Sequence, residues 1–224
     1  MIYCTRKRGD TLKEAKGRVF SIAESNPPIP GCTVSFGVAD GIDYYSLAAG
    51  TDISAEIYTY HKLILVSAGC VEVYYEGGTV TCRSGEGVFT PTDTPVGVRT
   101  DGGAVYTEIA VERSSVMNSI IKSGEAFELK KLVPYQIGRI VNMDIVHNDK
   151  MKFVVMAFDE GTGLSEHAAP GEAMIFALDG EGIIGYEGEE HLIKAGENFC
   201  FAKGGRHWVK AKGRFKMALL LTLD

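Results

Sequence analysis

Five histidines and five cysteines are the side chains in this 224-residue sequence best suited to hold a metal ion or move a proton near neutral pH. The cysteines, Cys4, Cys32, Cys70, Cys82 and Cys200, are odd in number and contain no CxxC pair. Neither a disulfide framework nor a zinc ribbon is expected, and they read as reduced thiols, some of them buried. Nucleophilic catalysis has little support: no GxSxG elbow occurs, and no cysteine stands beside a histidine. The glycines are spaced as turns and not as a cradle for phosphate or a dinucleotide. His147, beside Asn148 and Asp149, reads as a turn residue, and His191, after Gly188-Glu189-Glu190, as an exposed one. His61, His167 and His207 remain as candidates for chemistry.

The elements that must position them emerge when the chain is compared with itself. At an offset of about 111 residues, Gly50-Thr51-Asp52-Ile53-Ser54 falls on Gly161-Thr162-Gly163-Leu164-Ser165, Tyr75-Glu76-Gly77 on Tyr186-Glu187-Gly188, and Gly69 on Gly180. Two copies of one domain are expected, near 14–112 and 124–224, after an N-terminal extension (1–13). The joining segment, 113–125, carries Val116, Ile120 and Ile121 at helical spacing. Within each copy short apolar runs alternate with glycine turns, and 27 glycines suit many tight turns. This pattern predicts an all-β fold of two closed barrels or jelly rolls with little helix. In the repeat register Glu56 stands where His167 does, His61 where Glu172 does, and Val96 where His207 does. Glu56 with His61 reads either as an acid–base pair or as a solvent-facing one.

The run Gly161-Thr162-Gly163-Leu164-Ser165-Glu166-His167-Ala168-Ala169-Pro170-Gly171-Glu172, with Leu178-Asp179-Gly180-Glu181-Gly182 after it, resembles the first cupin motif. Ala195-Gly196-Glu197-Asn198-Phe199-Cys200-Phe201 and Arg206-His207-Trp208-Val209 resemble the second. The chain as a whole is similar to small bacterial cupins with two tandem barrels. The resemblance implies two double-stranded β-helix barrels and a divalent metal inside one of them, such as Fe, Mn, Zn or Ni. It places His167 and His207 as ligands, with Ser165 where a further histidine is usual. Glu172 is the carboxylate counted forward from His167, whereas counting backward from Gly180 reaches Ala173. In a strand that single step reverses the face of the side chain. Two histidines and a carboxylate can form a three-ligand site; the alternative is two unmetallated, hydrogen-bonded pocket histidines. Met156, Met174, Phe199, Phe201 and Met217 are candidate pocket walls or ordinary core. Trp208 should face away from His207, and Arg206 or Lys203 could receive an anion.

Formal net charge is −6 and hydrophobic residues make up 45% of the chain, so a packed core is expected and a nucleic-acid partner is not. Arg6-Lys7-Arg8 with Lys13, Lys16 and Arg18 is interrupted by Asp10 and Glu14 and reads as a solvated end. No apolar stretch suggests a signal or a membrane span, so a cytoplasmic location is expected. A small molecule is the expected partner, with a homodimer left open. Two functions fit these features: a cupin-type binding protein for a small molecule, or a metal-dependent enzyme (dioxygenase, isomerase or lyase). The second copy is the expected place of the site.

Overall fold

A computed structural model of the chain describes residues 16–223. Cys4, the extension over 1–13 and most of the basic cluster lie outside the described residues. Strands dominate. The first strand and helix among the described residues are β1 (Val19–Phe20) and a one-turn helix, α1 (Ile22–Ser25). The first repeat supplies β2 (Thr33–Ala39), β3 (Ile42–Leu47), β4 (Thr51–Ile57), β5 (His61–Tyr75), β6 (Gly78–Arg83), β7 (Glu86–Phe89), β8 (Pro95–Thr100) and β9 (Ala104–Val111). After β10 (Val116–Met117) and β11 (Ala126–Glu128), the second supplies β12 (Ile140–His147), β13 (Met151–Phe158), β14 (Gly163–Ala168), β15 (Glu172–Tyr186), β16 (Glu189–Lys194), β17 (Asn198–Phe201) and β18 (Arg206–Thr222). Under the sequence offset β5 coincides with β15 and β6 with β16, residue for residue. One strand, β18, covers the ground of both β8 and β9.

Two compact units form. One holds Ile22–Ser115 and Ser119–Glu128; the other holds Val116–Asn118 with 16–21 and 129–223. In the first unit β5 serves two sheets. Its first half pairs with β9 and β7, and its second half with β8 and β6. The ladder with β9 slips between Val66 and Ala68, just before Gly69 at φ 75°. A Cβ at Gly69 would lie 2.1 Å from the Gly103 carbonyl oxygen, so the corner admits only glycine. The second unit repeats the device: Gly180 sits at φ 70°, and a Cβ there would lie 1.9 Å from the Arg214 carbonyl oxygen.

Strand alternation then decides what faces inward. In the first unit Leu47, Ile64, Val66, Val71, Val73, Val88, Val98 and Tyr106 form the apolar interior. In the second, Ile175, Ala177, Ile184, Phe199, Phe201, Val209, Phe215 and Met217 do so. One expectation is corrected: the helical spacing of Val116, Ile120 and Ile121 does not produce a helix. Val116 and Met117 instead pair with His147 and Val146 of β12. Asn118 fixes the exit from β10, its backbone N–H donating to the Ile145 carbonyl at 2.8 Å and its side-chain amide to the Asp144 carbonyl at 2.9 Å. These bonds reach 26 residues or more along the chain, so pairing with β12 and not a local helix satisfies this segment's backbone.

Candidate functional site

In the second unit β14 and β18 bring His167 and His207 into direct cross-strand register, with ring centroids 4.2 Å apart. Each ring points its Nδ1 at a backbone carbonyl two residues upstream: His167 at Ser165, 2.8 Å, and His207 at Gly205, 3.1 Å. His207 is buried and stacks on Phe201 at 4.1 Å, whereas His167 and Ser165 are exposed. Burial, opposed in part by the Gly205 carbonyl, holds the His207 imidazole below its usual pKa, and neighbouring His167 adds to the effect.

Glu172 does not join them. It shares a face of β15 with Met174, and its carboxylate is ion-paired with Lys16; Ala173, Ile175 and Ala177 take the core-facing places. Among the described residues no three histidine, cysteine, aspartate or glutamate side chains stand together as a metal site would need. Two imidazoles with their expected carboxylate on the other face do not fit the three-ligand set. The proposed wall is packed core: Met156, Phe199, Phe201 and Met217 belong to the apolar interior, and Phe199 and Phe201 stand 5.1 Å apart by ring centroid. Met174 is buried outside that cluster. Trp208 lies across Gly185, whose Cβ would come within 2.0 Å of the indole. Arg206 is engaged by Glu166, and His191 is half-buried with its ring 5.1 Å from Phe199.

The first unit encloses a cavity of about 300 Å³, within the size range of small-ligand pockets. Alternation explains its lining. Lys62-Ile64-Val66 on β5 and Ala104-Tyr106-Glu108 on β9 are inward stripes whose apolar members continue the core. Each stripe ends in a charge. Lys62 Nζ lies 2.9 Å from Glu108 Oε1, with the two side chains only 12% and 11% exposed. The same ammonium sits 3.7 Å from the centroid of the Tyr58 ring. Tyr58 donates its hydroxyl hydrogen to the carboxylate of Glu56, which is exposed and with Ser54 marks the mouth. Tyr45 and Tyr106 stack at 4.9 Å and 6° to form a flat aromatic wall, and Ile53, Val96 and Val98 add apolar surface. Burial raises the Glu108 carboxyl above the usual range although Lys62 pulls it down; Asp43 and Glu56 push it further up. Burial and Glu56 likewise raise the Tyr58 hydroxyl. Glu56 and His61 do not pair, because His61 Nδ1 is turned to the Thr90 carbonyl at 2.6 Å.

The buried pair is the feature that inspection of the histidine places misses. Under the repeat register Lys62 and Glu108 correspond to Ala173 and Leu219, both apolar. At 2.9 Å their attraction is worth about 6 kcal/mol at an effective dielectric constant of about 20, against a desolvation cost of several kcal/mol for each ion. The fold gains little from it, and the second unit shows that the same strands close without it. Buried charges lining a cavity and contributing little to stability are a mark of binding or catalysis.

The cupin domain profile matches residues 154–223, which lie in the second unit. Among curated proteins none matches the chain. A cupin 2 conserved barrel domain protein from Leptotrichia buccalis superposes with a TM-score of 0.81 at 24% identity, over 92% of this chain and 97% of its own. Salicylate 1,2-dioxygenase from Pseudoaminobacter salicylatoxidans superposes at 0.59 with 12% identity, over 80% and 67%. AerE from Microcystis aeruginosa does so at 0.55 with 14% identity, over 88% and 97%. These likenesses establish the cupin-barrel fold, and at such identities the fold alone.

Proposed function

We propose that this chain, a cupin-fold protein with a cupin domain in its second unit, binds a small molecule without a metal, in the cavity of its first unit. The observation that carries this reading is the Lys62–Glu108 pair, buried on the wall of a cavity of about 300 Å³. The cavity has an apolar and aromatic body and a few convergent polar groups, as ligand sites do. Lys62, Glu108, Tyr58 and Glu56 orient the ligand's polar end, and Tyr45, held flat by the buried Tyr106 beneath it, takes its flat or branched body. The interior of the second unit is packed with Phe158, Phe199, Phe201 and Phe215. The dioxygenase likeness supports an enzymatic alternative less well, since among the described residues His167 and His207 have no third ligand beside them.

Ligand-observed NMR with mixtures of small fragments tests this. Binders of the wild type should be lost in Val96→Phe, which fills the cavity from β8, and kept in His207→Gln. Equal loss in both, or binders that survive Val96→Phe and vanish in His207→Gln, would overturn the proposal.

A further inference from the structure

We infer that the first-unit cavity selects a protonated primary amine carrying a compact apolar or aromatic body. This rests on the binding reading above and names the class of its ligand. The walls divide into an apolar part and one charged end, and the charges at that end are unequal. Glu56 and Glu108 line it, and Asp43 stands directly opposite Glu108 in the β3–β9 register and acts on it electrostatically. Among the described residues Lys62 is the single cation that lines it. Among the described lining residues two carboxylates against one ammonium leave a negative field, focused by low-dielectric walls. An anionic ligand would gain Lys62 but meet two carboxylates on the same wall. An ammonium gains them and is repelled by Lys62 alone.

The cavity also shows how it treats an ammonium, because it already holds one. Lys62 Nζ is clasped between the Glu108 carboxylate at 2.9 Å and the face of Tyr58 at 3.7 Å. The Glu56 carboxylate, at the exposed mouth, is the group that a second ammonium reaches first. Beyond the charged end the half-buried Tyr45 ring, backed by the fully buried Tyr106 stacked on it, offers a flat surface that an aromatic or branched body can cover.

Three probes of nearly equal shape separate the cases: benzylammonium, benzyl alcohol and benzoate, titrated into methyl-labelled protein at low salt. Benzylammonium should shift the methyl signals of Ile53, Ile64 and Val98 and bind at least about tenfold more tightly than benzoate. Its affinity should fall about tenfold in Glu56→Gln and in Glu108→Gln, and fall as salt is raised. Glu56 is exposed, so its variant keeps the test decisive if Glu108→Gln fails to fold. Tighter binding of benzoate, or equal binding of all three, would overturn the amine inference and leave the pocket reading standing. No shift of these methyls with any probe would overturn both.

Discussion

Replacing Lys62 by alanine strands Glu108 as a buried carboxylate with no ammonium beside it, and the size of the effect can be bounded. A carboxyl that cannot be solvated takes up a proton instead of staying charged. The cost at pH 7 is then at most about 1.4 kcal/mol for each pH unit above the unfolded pKa of about 4.3, or roughly 3–4 kcal/mol. At pH 5 the same limit is about 1 kcal/mol. The sign follows from proton counts. The folded state, in which the Glu108 carboxyl is raised, holds more protons than the unfolded one above about pH 4.3, so this group's contribution to stability falls as pH rises. Urea titrations followed by circular dichroism at pH 7 and pH 5 should therefore show Lys62→Ala badly destabilised at the first and only mildly at the second. The double variant Lys62→Ala with Glu108→Leu installs the pair found at the matching places of the other repeat, Ala173 and Leu219. It should return to within about 1 kcal/mol of wild type at both pH values, as apolar replacements of buried ion pairs often do. A loss in Lys62→Ala that ignores pH, or a double variant as unstable as the single one, would show that the pair holds the fold together and undo the case for a binding role.

Gly180→Ala places a Cβ 1.9 Å from a carbonyl oxygen at a left-handed φ, so it should cost at least about 2 kcal/mol, or prevent folding, by thermal denaturation. Gly185→Ala should cost about 1–3 kcal/mol through its collision with Trp208 and recover part of that when Trp208 is also reduced to alanine. Because burial holds His207 below its usual pKa, the unfolded state binds its proton more readily. The melting temperature should then drop as pH falls below about 6.5, and His207→Gln should flatten that slope. Protein purified without chelator or histidine tag and then incubated with Fe, Mn, Zn or Ni should hold less than one ion per chain by elemental analysis, with His167→Ala no different from wild type.

Much of the fold was legible because a duplication writes each strand twice. Gly69 and Gly180 mark the same corner, and the runs that became β5 and β15 coincide under a single shift. A subtler agreement could have been read the same way: Tyr74 opposite Gly97 becomes Gly185 opposite Trp208, so the large and small partners of one cross-strand pair are exchanged. The site was harder to see. Motif resemblance drew attention to His167 and His207, which do meet, but it could not tell which face of β15 Glu172 occupies; one residue of register decides that. Lys62 and Glu108 lie in no motif. Their signal is a charge where inward alternation calls for an apolar side chain, repeated on two neighbouring strands, and it is audible only once the strands and their faces are known. Val116, Ile120 and Ile121 misled because helical spacing counts for little in a segment whose backbone pairs with a strand about 30 residues further on.

A small molecule should enter the first unit and not the second. Methyl-labelled protein titrated with a fragment mixture tests it most directly, since isoleucine and valine methyls line both interiors. Shifts confined to Ile53, Ile64, Val96 and Val98 are the predicted result. Shifts at Ile175 and Val209, with the first-unit methyls unmoved, would contradict it.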